Sequence, residues 1–434
     1  MIFVFQLLHA ALFWIQDFIP TAEFFIYPYL TSRGLLPYHE IIDHHFPGLF
    51  FLPLNFYTLG FVDPQSFKSL TLFVILLTSV LLHRLAQNMS KNKIIAAEAI
   101  LLYSLWQIFF SGSLLWIDLF LPLFLLPGMY WFNNKKYLIS GIFFALAIIF
   151  KQTAVLPIIF LSIFLLRKPS GLIAFIAPSF AVFAGLLFYF FRQGVLSDFI
   201  FWNFTFNFAG YAAEAGKFAT QNELLKISFP LIVYVGSAVV AVRSGSKQLF
   251  QLAGMILVLA LPAFSRFGLE HFQPAVSLFC LLVPLALRSN KLLKYGVYAI
   301  SFIWVIFFIF RNNPSGEIVN FSKGEIELYQ TAKNLKSSGF SLGLLGSSPI
   351  IYSQSGALPP GKLFYFPLPW FFSRLGEKQL ALWEKDPPDY IIFNPQSSVD
   401  GKNVFTSAPG LVEYMQMNYR EESVISGNIV FRHI

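Results

Sequence analysis

Cysteine is almost absent: Cys280 is the only one in 434 residues, which excludes a disulfide framework and any site built from paired cysteine metal ligands. Charge is scarce as well. Asp, Glu, Lys and Arg make up 12% of the chain, about half the share found in soluble domains, so much of this surface is not made to face water. There is no GxGxxG or GxxxxGK[ST] loop, and without a glycine-rich phosphate cradle nucleotide binding has no support. Internal repeats and low-complexity tracts are also missing. The stretch Met1 to Gln16 lacks the basic leader and small-residue cleavage site of a removable signal peptide, so it reads as a retained first helix.

What is present is apolar. The chain is 56% hydrophobic and 18% aromatic, with a mean hydropathy of +0.64. Long apolar runs recur from Met1 to about Phe310, each bounded by a short polar loop, which describes a polytopic α-helical membrane protein. At about 20 residues per span, helices are expected at 1–17, 66–86, 94–110, 114–132, 137–150, 152–166, 170–192, 228–243, 249–264, 273–288 and 295–311, eleven in all. With the N-terminus inside, Arg84, Lys91, Lys93, Lys135, Lys136, Arg167, Lys168, Arg243, Lys247, Arg288, Lys291 and Lys294 fall in cytoplasmic loops, as the positive-inside rule asks. That placement accounts for the net charge of +8 without nucleic acid.

The stretch 137–166 tests this reading. As one helix it would run about 45 Å against a hydrocarbon core of about 30 Å, and everything after it would change sides. Charge placement favours two segments with Lys151 and Gln152 at an outer turn. The loop 18–65, Lys151, the loop 193–227 and the segment Ser265 to His271 then face outward. In the first loop, Pro47 to Phe61 is apolar and aromatic, and is expected to be a helix lying at the interface.

From Asn313 to Ile434 the composition turns soluble. Helices are expected near 324–336 and 369–384, and strands near 340–345, 389–393, 421–425 and 428–432, from apolar alternation such as FSLGLLG and YIIF. The expected domains are thus a membrane body, 1–312, carrying the outer loop 18–65, and an extracytoplasmic α/β domain, 313–434.

Few residues in such a chain can carry chemistry. Most stand in the first loop, which gathers Asp17, Glu23, Arg33, His39, Glu40, Asp43, His44 and His45. A lone carboxylate at a membrane surface is ordinarily just solvated, but a grouped one that is partly desolvated becomes a better base. Glu23, inside AEFFIYPY, has that setting. Lys151 would cost about 2.5–3.5 kcal/mol at the bilayer centre; near the outer surface it either snorkels or binds a lipid phosphate. Arg266 and His271, in SRFGLEHFQP, are possible further donors to that phosphate. Asp118 is an intramembrane acid, either a site residue or a structural hydrogen-bond partner. Asp43, His44 and His45 are metal-ligand types, but adjacent histidines without a spaced third ligand are weak grounds for a metal. The sequon Asn203-Phe204-Thr205 is a common chance pattern.

The order of these features resembles the glycosyltransferase-C superfamily, in particular its protein O-mannosyltransferase and aminoarabinose-transferase-like branch. The resemblance is carried by Glu23 after the first span, Gly34, Pro37-Tyr38, Glu40, Asp43, His45 and Pro47-Gly48, by the FKQTAVLP turn from Phe150 to Pro157, and by Arg266 with His271. The chain departs from the pattern in having Ala22-Glu23 where many members carry Asp-Glu. The resemblance implies an enzyme of the plasma membrane that moves a sugar, with inversion, from a polyprenyl-phosphate donor to a glycan, lipid or protein acceptor on the extracytoplasmic face. Glu23 would be the base, with Asp17 in reserve. Lys151, Arg266 and His271 would hold the donor phosphate, and Tyr38, Asp43 and His45 would shape the loop or touch the donor. It implies no required cofactor. A transporter or flippase of lipid-linked sugars would want similar cations, but it should show paired, repeated helices, and a non-catalytic scaffold leaves the acidic loop unexplained.

Overall fold

The computed structural model describes residues 2–52, 54–309 and 321–434. The end of the last expected span and the expected domain boundary at 312/313 lie outside the described residues. Helices form where the apolar runs predict them: Ile2–Trp14, Pro64–Ser90, Lys93–Phe109, Pro122–Asn133, Tyr137–Phe150, Val155–Ile163, Pro169–Arg192, Gln221–Arg243, Lys247–Ala260, Gln273–Ala286 and Lys291–Ile309. Among the described residues, six helical stretches, counting flanking 3-10 turns, are long and apolar enough to cross a membrane, and the chain is a membrane protein. The others, including Ile2–Trp14 and Tyr137–Phe150, are shorter than a full span. Between Tyr137–Phe150 and Val155–Ile163 the helix breaks at Lys151, whose backbone is extended at φ −150°. No 45 Å rod forms.

The chain divides into two compact units. The first comprises Met1–Pro20, Gln65–Leu187 and Gly216–Ile318. Its centre is the helix Gln273–Ala286, all of whose residues are buried, packed against Lys93–Phe109 and Lys247–Ala260. Small residues set the close approaches. A Cβ on Gly141 would overlap the carbonyl oxygen of Phe175, so the helices of these two residues pack with backbone against backbone. Gly141→Ala should therefore force them apart and cost about 1–3 kcal/mol, read as a lower unfolding temperature in detergent; an unchanged temperature would show that the contact yields freely. The same unit holds a buried ion pair, Lys294 Nζ to Glu98 Oε1 at 2.6 Å, and Tyr298 donates its hydroxyl to Glu98 Oε2 at 3.2 Å.

The second unit comprises Thr21–Pro64, Phe188–Ala215 and Val319–Ile434. Its sheet has four strands in the order Leu342–Leu345, Tyr390–Phe393, Asn428–His433, Tyr419–Ile425. The first pair is parallel and the other two are antiparallel. The closing hairpin turns at Ser426-Gly427, both at positive φ, which is the backbone twist a two-residue hairpin prefers. Helix Lys323–Ser337 opens on a reciprocal cap between Ser322 and Glu325. Helices Pro369–Lys385 and Pro409–Asn418 cover the sheet through Phe372, Trp383, Leu411 and Met415, packed on Leu345, Ile391 and Phe393.

One expectation fails here. The described part of Pro47 to Phe61 is a series of turns, not an interfacial helix. Asn55 explains part of this: its Oδ1 accepts from the Thr58 backbone at 3.0 Å while its Nδ2 reaches the Pro28 carbonyl at 2.8 Å, local bonds that compete with a helical ladder. Gly60, at φ +87°, then turns the chain toward Pro64.

Candidate functional site

In the second unit the acidic loop is folded by its own residues. Helix Glu23–Ser32 is short and almost wholly buried after its first residue. The loop that follows closes on itself: Glu40 Oε2 accepts from Leu36 N at 2.8 Å, and Tyr38 N donates to Ile41 O at 2.7 Å. Tyr38 has φ +67°, an unfavourable backbone for a bulky residue. Its ring lies among Phe51, Phe190 and Phe199, and its hydroxyl donates to His45 O at 2.8 Å. Packing and hydrogen bond together hold the strained turn. Residues 40–42 are then paired with Phe364.

That frame presents Asp43, His44 and His45. Asp43 is 2% exposed and accepts from His45 Nδ1 at 3.0 Å and from the buried hydroxyl of Tyr27. Burial pushes its carboxyl up, but the charge and hydrogen bond of His45, the charge of His44 and the His44 backbone N–H outweigh it and hold the carboxyl below its ordinary value. His44 Nδ1 stands 3.7 Å from Asp43 Oδ1. Its ring lies 4.2 Å from that of His45 and 4.5 Å from that of Tyr211, centroid to centroid. Asn207 donates to the His44 carbonyl at 2.8 Å.

Glu23 begins its helix partly buried. Burial drives its carboxyl up to about 7, its own backbone N–H and the charge of His45 oppose this, Asp43 adds to it, and the Thr21 hydroxyl lowers it. The outcome is a carboxyl poised near neutrality that still reaches solvent, the state a general base needs. Asp17, the reserve candidate, lies in the first unit, exposed in coil just after the first helix.

The first unit gathers a second set on three irregular turns. Asp118 sits on the 3-10 turn Ile117–Phe120 before the helix Pro122–Asn133, Lys151 in the break described above, and His271 on the turn Leu269–Phe272 that leads into the central helix. Lys151 Nζ meets both carboxylate oxygens of Asp118 at 2.7 Å, and His271 Nδ1 meets Oδ2 at 2.9 Å. Asp118 is 2% exposed, while Lys151 and His271 keep 13% and 19% of their side-chain surface open. Irregular backbone of this kind in a membrane chain is tolerated where it is enclosed by protein or lines a watery cavity. His271 Nε2 stands 3.7 Å from Glu270. Arg266 pairs by backbone with Lys217.

The sequence named Glu23, Asp43, His45, Tyr38, Asp118, Lys151 and His271 without showing which of them meet. Tyr27, Asn207 and Tyr211 were missed. Asn203 and Asn207 stand four apart in FWNFTFNFAGY, a π-helix from Phe201 to Tyr211, and that pair of amides in an aromatic run was the available signal. The sequon residue Asn203 is itself buried, its Nδ2 donating to Phe199 O.

No protein-family model and no curated protein matches the sequence. Among solved structures the chain is similar to the crystal structure of ArnT from Cupriavidus metallidurans bound to undecaprenyl phosphate, with a TM-score of 0.61 at 10% identity, covering 99% of this chain and 97% of that one. The likeness shows the fold, which is that of the ArnT structure.

Proposed function

We propose that this chain is a glycosyltransferase that moves a sugar from a polyprenyl-phosphate carrier to a glycan, lipid or protein acceptor at the extracytoplasmic face of the plasma membrane, with inversion at the anomeric carbon. The observation that carries the reading is Glu23, a carboxyl that burial holds near neutrality on the loop that follows the first helix. The shared fold supports it, since the ArnT structure holds undecaprenyl phosphate.

In the reaction Glu23 takes the proton of the acceptor hydroxyl as that oxygen bonds to C1 of the sugar. The bond from C1 to the phosphate oxygen breaks with its electron pair, and the carrier leaves as lipid phosphate. Lys151 and His271, with Arg266, are assigned to that phosphate. Asp118 orients Lys151, whose ammonium carries three N–H donors; two meet the carboxylate, and the third is for the incoming anion. The active face and the 313–434 domain are outward, with about eleven helices forming the membrane body.

Incubating the purified protein in proteoliposomes with a labelled undecaprenyl-phosphate sugar tests the reading, and absence of both transfer and donor binding would reject it. Lys151→Ala should weaken binding of undecaprenyl phosphate about tenfold or more, the scale of a charged hydrogen bond. Lys151→Arg should restore most of that affinity. Equal affinities across the three proteins would remove Lys151 from the phosphate.

A further inference from the structure

Among the described residues, Asp43, His44 and His45 each offer a ligand atom, and these three atoms lie within 4.8 Å of one another. Two separations are tighter, 3.0 Å from Asp43 Oδ1 to His45 Nδ1 and 3.7 Å from the same oxygen to His44 Nδ1. Ligands about 2.0–2.1 Å from a tetrahedral zinc ion stand about 3.3 Å apart, so the spacing needs little adjustment. We propose that Asp43, His44 and His45 form a binding site for one divalent transition-metal ion, zinc by ligand type.

Three features beyond the cluster itself support a built site. The ligand loop is fixed on both sides: Tyr38 holds the His45 carbonyl and Asn207 the His44 carbonyl. Asp43 is held by the Tyr27 hydroxyl and the His44 backbone N–H, the kind of outer support that orients a metal-binding carboxylate. The ligand types also fit, since two imidazoles with one carboxylate suit zinc better than magnesium or calcium, which prefer all-oxygen shells. The apparent lack of a spaced third ligand in the sequence is met by folding, which turns three successive side chains toward one point. Three protein ligands leave a fourth position for water or a substrate oxygen, as in catalytic rather than structural zinc sites.

The site stands independently of the transfer reading, and its test does not use transfer. The full chain in detergent is stripped with a chelator, gel-filtered, loaded with Zn2+, and its metal counted by mass spectrometry. Wild type should retain one zinc per chain and unfold at a higher temperature with Zn2+ than without. Loading with Co2+ should give the visible absorption of a tetrahedral ion. His45→Ala and Asp43→Asn should each weaken zinc binding at least tenfold. Substoichiometric zinc in wild type, or wild-type affinity in a His45→Ala chain of normal elution, overturns the site. If neither variant elutes normally, the wild-type count and thermal shift decide: no retained zinc and no shift reject it. A chain that binds zinc but transfers no sugar fails only the transfer reading, and one that transfers but binds no zinc fails only this one.

Discussion

Glu23→Gln is expected to lower sugar transfer by about 10²- to 10⁴-fold, the usual range for loss of a general base, while donor affinity stays at the wild-type level. Gln keeps the shape of the side chain and removes only its ability to take a proton. The pH profile gives an independent check. Because burial holds the Glu23 carboxyl at about 7, its ionised, base-competent form accumulates as pH rises through 7. Wild-type kcat/KM should climb across that interval and level off above it, and the variant's residual rate should lose this step. Stability moves the other way. A carboxyl whose folded pKa lies above its unfolded one favours folding least once pH has risen past the folded value, so Glu23→Gln should be no less stable than wild type at pH 8. Wild-type turnover in the variant, or its collapse as an unfolded protein, would each contradict the assignment.

The second large effect concerns stability alone. Lys294→Met leaves Glu98 as a buried carboxylate supported only by the Tyr298 hydroxyl among the contacts described above, and breaking one side of a buried pair costs about 3–5 kcal/mol. The double change Glu98→Leu with Lys294→Met removes both charges and should recover most of that loss, since a packed apolar pair can replace a buried ion pair at little cost. Denaturant unfolding in detergent measures both. A single variant as stable as wild type would mean that water or lipid headgroups already reach the pair.

Local signals and long-range ones were not equally legible. The apolar runs located most of the helices within about four residues, because length and hydropathy govern a membrane helix almost alone; the starts at Pro122 and Gln221 lie eight and seven residues from those expected. The strands Tyr390–Phe393 and Asn428–His433 were legible by alternation and turn residues. Helices Ile350–Ser355 and Pro409–Asn418 were not, being short; the second announces itself only by Pro409 at its start and by Leu411, Val412 and Met415 on one face. The turns of Pro47 to Phe61 were misread because apolar content says where a segment is buried but not what its backbone does, to which the bonds of Asn55 contribute. The loop Asp43 to His45 was visible because its residues adjoin. The meeting of Asp118, Lys151 and His271 was not, since their side chains join across 33 and 153 residues and nothing local records such a pairing.

The wholly buried helix Gln273–Ala286 has a consequence for biogenesis. It is made late, yet Lys93–Phe109, Pro122–Asn133, Gln221–Arg243 and Lys247–Ala260 all pack on it, and Gln273 donates to the carbonyls of Gln107 and Phe110, groups made some 160 residues earlier. Until the ribosome has passed residue 286 of 434, the faces that these four helices turn toward it have no partner there. The unit is thus completed by a latecomer, and a chain stalled short of it keeps pairs such as Ile2–Trp14 on Lys93–Phe109 and Pro122–Asn133 on Tyr137–Phe150 but lacks the helix that joins them.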